Sequence, residues 1–362
     1  MAKRRRSSVD GWKPGLYMVD EIPAPFTIDS QPHEPTPSIP GAILEDVEAY
    51  CFICKKKLRR SRTANAGDYT KEDVFPQWLV EKFELENEYL DFPDGGSEKY
   101  PDILVPCCRT CNNKWMSQVE QRISEAVKAA DEYPEFMKLS RSDIALWVVK
   151  IIYGILTKRI VQWDFRKHGP GGPGISEKVL DQFRLSLMLL DGFRKRIILN
   201  APKFPISVLV LPISPGATGR LAFDYKDSIE WPTAIAMRMG TVGLIATFED
   251  FGMVNWWFDE KLANLLKGQT LHPAQFMEIA ARTFYHAGLG AFDVRYTALT
   301  SPRDTYLTLN PIPGRFLPLA PAKERAMIAH MTGDERFLDA KDGDGLLMNE
   351  DGSFQKIDWP PK

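Results

Sequence analysis

The sequence predicts an α+β fold organised around a cysteine-stapled finger. Three observations predict it. All five cysteines fall in one block, as Cys51 and Cys54, then Cys107, Cys108 and Cys111. Apolar residues recur at helical spacing between Trp115 and Ile160. From Arg196 onward, short β-branched runs alternate with helical patterns and turn residues. A length of 362 residues exceeds one average domain, so the chain divides in reading into several regions.

Residues 1–45 read as a disordered arm. Lys3, Arg4, Arg5 and Arg6 open it, and Pro14, Pro23, Pro25, Pro32, Pro35, Pro37 and Pro40 punctuate it without periodicity. No apolar run follows the basic residues, so they are not a signal peptide. The arm reads as a phosphate-seeking tail or as a solvated terminus. The most apolar window, Ile144 to Ile160, contains Lys150 and Lys158 and reads as a buried helix, not a membrane span. Clustered cysteines in a chain of this size point to metal in a reducing compartment, hence to the cytoplasm. A net charge of −2 gives no global attraction to nucleic acid, so any such contact needs a local basic patch.

Residues 46–135 form the finger. Cys51-x-x-Cys54 and Cys108-x-x-Cys111 each bring two sulfurs to one ion from a tight turn, and four thiolates close a structural zinc site. Cys107 can replace Cys108 as ligand, but only Cys108 has C-x-x-C spacing to Cys111. The stretch between the pairs far exceeds the ~15–20 residues of a zinc ribbon, so something folded lies between them. Lys55, Lys56, Lys57, Arg59, Arg60 and Arg62 follow the first pair and suit a phosphate backbone or a solvated face. Trp115, Val119, Ile123 and Val127 give one apolar face to a helix from about Asn112 to Asp131. Its free N–H groups favour an anion near Asn112 and Asn113.

Between the pairs stands Glu72-Asp73-Val74-Phe75-Pro76-Gln77-Trp78-Leu79, and the second pair continues Cys111-Asn112-Asn113-Lys114-Trp115-Met116-Ser117-Gln118-Val119-Glu120. These motifs resemble the HNH endonucleases, which have a ββα-metal finger. The resemblance covers residues 49–125 and extends weakly to the apolar helix behind them. It implies hydrolysis of phosphodiester bonds in nucleic acid, DNA being the expected partner, assisted by Mg²⁺ or Mn²⁺ beside the structural zinc. Glu72 takes the place of the acidic ligand, and Asn112 that of the ligand after the last cysteine. Asp73 stands where the family has its histidine base, and Ile103 where it has a middle asparagine. An exposed Asp titrates near ~3.9 against ~6.5 for His, which makes it a poor proton acceptor. None of the histidines at 33, 168, 272, 286 and 330 lies in the block. Three readings follow: a nuclease with an unusual acidic metal site, a fold kept for binding after loss of the base, or an introduced inactivating substitution.

Residues 136–198 read as a helical region. One helix runs from Ser140 to Phe165, capped by Ser142, with Leu146, Val149, Ile152, Tyr153, Leu156 and Ile160 buried. A Gly-rich hinge spans Arg166 to Gly174, and a second helix spans Ser176 to Arg196. Residues 199–333 read as a mixed α+β domain, able to receive a protein partner. Its strands are Ile206–Leu211, Gly219–Tyr225, Thr233–Met239, Thr241–Phe248, Val294–Leu299 and Thr305–Leu309. Its helices are Asn255–Gly268 and His272–His286, and Trp231, Trp256, Trp257 and Phe258 belong to its core. Residues 334–362 read as an acidic, solvated tail. It lacks the calcium-loop spacing, because Ala340 stands where an acidic residue is required.

Overall fold

Two four-stranded sheets and two two-stranded sheets carry the strands among the described residues. The structure is a computed structural model that describes residues 14–18, 50–59, 68–92, 96–162, 184–228, 233–339, 345–349, 351 and 353–357. The central sheet holds β7 (Ile206–Pro212), β8 (Phe223–Ser228), β9 (Ala234–Met239) and β10 (Val242–Phe248), in the order β7-β10-β9-β8. Every residue of β9 and β10 is buried. Their pleat sends alternate side chains to two different cores. Ile235, Met237, Met239, Val242, Leu244 and Ala246 join the core that includes the cysteine block. Ala234, Ala236 and Ile245 join a second core with Phe276, Ile279, Ala280 and Phe284. A sheet buried on both faces reads as a nearly continuous apolar run, and both strands read so, with one charged exception at Arg238 of β9, whose guanidinium pairs with Asp224 on β8.

The finger contributes β2 (Tyr69–Asp73), α1 (Gln77–Lys82), the hairpin of β3 (Tyr89–Asp91) and β4 (Ser97–Lys99), and β5 (Leu104–Cys108). A π-helical turn, Cys111–Met116, then leads into α2 (Ser117–Lys128) and the short α3 (Glu132–Phe136). The predicted helix therefore ends at Lys128 and begins with a wider turn. Glu132 of α3 ties the finger to the central sheet. Its carboxylate accepts from Thr241 N–H at 2.6 Å and from the Thr241 hydroxyl at 3.0 Å, while Lys82 Nζ lies 2.7 Å away. Gly240 turns β9 into β10 with φ 62°, the left-handed region that favours glycine, and a Cβ there would displace that carboxylate.

α4 (Arg141–Gln162) crosses behind the finger. It is buried almost all round from Ile144 to Leu156, Lys150 included. Ser142 does not cap it. The Ser142 hydroxyl accepts from Leu16 N–H at 2.7 Å, and Ser140 Oγ accepts from Asp143 N–H at 3.0 Å instead. Gly154 faces Val74, where a Cβ would lie 2.8 Å from a methyl, so the helix can seat directly on the end of β2.

The sequence-predicted boundaries differ from the folded chain at several points. Gly15–Met18, within the supposed disordered arm, is a strand (β1) pairing in parallel with β6 (Arg196–Asn200). The second sheet, β1-β6-β12-β11, is completed by β11 (Gly290–Thr300) and β12 (Asp304–Phe316), a longer hairpin than the sequence indicated. Among the described residues, the helix expected over Ser176–Arg196 covers Arg184–Leu189 as α5, then tightens to a 3₁₀ turn before β6. Gly219–Ala222 is 3₁₀, not strand. The expected 255–268 helix breaks at Leu262 into α6 (Met253–Lys261) and α7 (Ala263–Leu266), and α8 runs Pro273–Leu289. Trp256 is exposed, against the expectation of core. The tail is not merely solvated: Phe337 and Leu347 are buried, and Gln275 donates to Leu346 O and Gln355 O. The Gly-rich hinge, His33, His168 and Trp231 lie outside the described residues.

Candidate metal and phosphate-binding site

Each knuckle is a tight hydrogen-bonded turn. Cys51 N–H donates to Lys56 O at 2.9 Å and Lys55 N–H to Cys51 O at 2.9 Å, with Lys55 at φ 56°. In the second knuckle Cys111 N–H points at Cys108 Sγ, 3.4 Å away. β2 and β5 pair antiparallel, setting Tyr69 opposite Cys108 and Asp73 opposite Leu104. Phe52 N–H donates to Pro106 O at 2.9 Å and docks the first knuckle on β5.

The result is that the sulfurs of Cys51, Cys54, Cys108 and Cys111 all lie within 4.8 Å of one another. Sulfurs about 2.3 Å from one zinc stand about 3.8 Å apart across a tetrahedron. Cys54 and Cys108 meet that spacing at 3.8 Å, so the four residues fit zinc. The thiols also need a cation to ionise together. Neighbouring thiols, Cys107 first, drive Cys51 well down, whereas Cys51 and Cys54 drive Cys111 well up. Cys107 remains outside the mutual group, although its Sγ lies 3.8 Å from Cys51. Successive strand residues face opposite sides, which separates it from Cys108.

The acidic end of β2 is built differently. Glu72 is buried, and its carboxylate lies 2.9 Å from Lys150 Nζ, whose side chain is 0% exposed. The same ammonium is 2.7 Å from Glu120 on α2. It also donates to the main-chain oxygens of Asp73 and, at 3.2 Å, Val74. Burial opposes the Lys150 charge, but Glu120 and Glu72 outweigh it and hold its pKa above the usual lysine value. Burial pushes Glu72 up to about 7, with Lys150 pulling the other way and Glu120 adding to the rise. Asp73 is half-buried, and desolvation raises its carboxyl above the ordinary range.

The Asn112 side-chain amide is engaged by the backbone and a side chain of β2. It donates to Lys71 O at 2.9 Å and approaches Thr70 Oγ1 at 3.3 Å, clamping β2 to the start of the helix. Glu72, Asp73 and Asn112 therefore share one small ββα unit, but the cation among them is a lysine. As arranged, they do not fit a divalent ion, and no hydrolytic step is derived through one. The described histidines lie elsewhere: His272 accepts from Ala274 N–H at the start of α8, His286 stacks on Trp257, and His330 is on α9 (Pro321–Thr332).

The basic loop divides. Lys55 is turned inward, donating to Phe52 O and to the Tyr153 hydroxyl at 3.1 Å, and burial lowers it to about 7. This corrects its assignment to a phosphate surface. Lys56 reaches Asp68 at 2.6 Å, while Lys57 and Arg59 are exposed, as is Asn113. Arg60 and Arg62 lie outside the described residues. Arg109 and Lys114, around the second knuckle, and Lys71, on the strand paired with β5, are also exposed, and the sequence reading missed them. It also missed the roles of Glu120 and Lys150. The available signal was a lone lysine inside an apolar helix, which buries only with anionic partners.

No protein-family model matches the chain, no curated protein matches its sequence, and no solved structure matches its fold. The fold is mixed α+β, with a four-cysteine cluster able to hold a metal ion such as zinc. Among the described residues no helix is long and apolar enough to cross a membrane.

Proposed function

We propose that the finger binds the phosphate backbone of nucleic acid, with zinc as its structural ion, and does not hydrolyse it. The observation that carries this reading is the exposure of Lys57 and Arg59 after the first knuckle, of Arg109 and Lys114 around the second, and of Lys71 on the strand paired with β5. A chain with net charge −2 has no general excess of positive charge, so exposed basic residues beside the cysteine site are meaningful. The antiparallel pair of β2 and β5 followed by α2 agrees with a ββα-metal finger of the HNH type. Against cleavage stand the Glu72–Lys150 ion pair and the absence of histidine among the finger's described residues. DNA is the proposed partner.

Fluorescence anisotropy of a short labelled DNA duplex tests the proposal. Binding should weaken steeply with salt, and Lys57→Ala or Lys114→Ala should each reduce the salt slope by about one. Plasmid incubated with Mg²⁺ or Mn²⁺ should remain uncut. Absence of binding at low salt would reject the nucleic-acid reading. Cleavage lost in Glu72→Gln would reject the non-hydrolytic part.

A further inference from the structure

Lys150 is the one charged group in the buried run from Ile144 to Leu156. Burying an isolated ammonium costs several kcal/mol unless its environment replaces water. Here the replacement is a shell of oxygens: the Glu72 carboxylate at 2.9 Å, the Glu120 carboxylate at 2.7 Å, Val74 O at 3.2 Å and Asp73 O. Three elements converge to build it, namely the end of β2, the middle of α2 and the face of α4 that also carries Gly154. Two carboxylates with two main-chain carbonyls are a hard-oxygen ligand set, the type that binds Mg²⁺, Mn²⁺ or Ca²⁺. Their charge is also telling. When both carboxylates are ionised, one ammonium leaves a net negative charge, whereas a divalent ion in the same place would neutralise both.

We infer that the Lys150 ammonium is the resident cation of a divalent-metal-type site between β2 and α2, so that this chain keeps the site closed to Mg²⁺-class ions. The inference rests on the non-hydrolytic reading of the same finger and supplies its physical cause. Lys150 also gives the finger a second anchor to α4 that requires no metal. The shell borders solvent on its Glu120 side, where Glu120 lines an open cavity of about 670 Å³ together with Trp78, Gln121, Ser124 and Lys128. Removing the ammonium would leave the Glu120 carboxylate at that cavity with the buried Glu72 carboxylate behind it, and the volume the ammonium held free for water or a divalent ion.

The test is Mn²⁺ titration of the full-length zinc-loaded protein, read by electron paramagnetic resonance and by Tm. Wild type should bind no Mn²⁺ through Glu72 and should show no Tm rise. Lys150→Ser should take up one Mn²⁺ per chain and gain several °C in Tm, or fold only when Mn²⁺ is present. Lys150→Ser combined with Glu120→Gln should lose that uptake. Wild-type Mn²⁺ binding that Glu72→Gln abolishes would overturn the inference. So would a Lys150→Ser protein that takes up no Mn²⁺, whether it folds unaided or stays unfolded with the ion. Duplex binding is measured separately, so failure of the nucleic-acid reading leaves the Mn²⁺ result unaffected.

Discussion

The finger contains two places built for a cation, and they are built in opposite ways. At the knuckles, four sulfurs lie within 4.8 Å of one another, and their ionisation calls for a metal ion. At the end of β2, two carboxylates already close on the Lys150 ammonium. The first place ties stability to metal in solution. The second draws its cation from the chain itself. Sequence spacing reveals the first, because both cysteine pairs are local. It conceals the second, because Glu72, Glu120 and Lys150 are far apart in the chain.

The comparison can be broken most forcefully at the sulfurs. Structural zinc contributes on the order of ~10–16 kcal/mol of binding free energy in small fingers, so a strong chelator or Cys108→Ser should unfold the finger. Hydrogen exchange should then show lost protection from β5 through α2. Protection that survives would mean that the apolar core alone holds these elements.

Next in size is the ammonium. Lys150→Met leaves two buried carboxylates without a partner and should cost about 3–5 kcal/mol in urea unfolding at neutral pH. Adding Glu72→Gln and Glu120→Gln to that variant should restore much of the loss, since the three groups act as one unit. Equal losses in the single and triple variants would show that Lys150 acts through packing.

The pH dependence sharpens the same point. Glu72 is raised from the ordinary 4.5 to about 7 in the fold, first by burial. The native state therefore holds a proton that the unfolded chain has released. Its stabilising contribution is complete below about 4.5 and disappears as pH rises through about 7. Wild type should lose stability across that interval relative to Glu72→Gln, by a few kcal/mol at most. Parallel stability profiles would contradict the shift. The smallest effect belongs to Asn112→Ala, which removes a hydrogen bond to Lys71 O and should cost about 1 kcal/mol. If Asn112 instead serves a metal, the variant should lose metal and leave stability nearly unchanged.

The local patterns were legible. The C-x-x-C turns, the Val119-Ile123-Val127 face and the pairing of β9 with β10 across Gly240 all follow from short-range spacing. Boundaries that depend on distant partners were not. Gly15–Met18 becomes a strand where β6 offers it an edge, and the tail is held where Gln275 binds its carbonyls and Leu347 is buried. Lys55 illustrates the same limit within the site. Its neighbours made it look like a phosphate ligand, but Tyr153 on α4 draws it inward. Buried polar groups are chosen by what the fold brings beside them, which no window of sequence contains.

The most direct test is the metal content of the native full-length protein, measured by native mass spectrometry after exposure to millimolar Mg²⁺ and Mn²⁺. The account predicts one retained zinc per chain, lost in Cys108→Ser, and no second divalent ion. A folded protein without metal, or one retaining a second ion that Glu72→Gln removes, would contradict it.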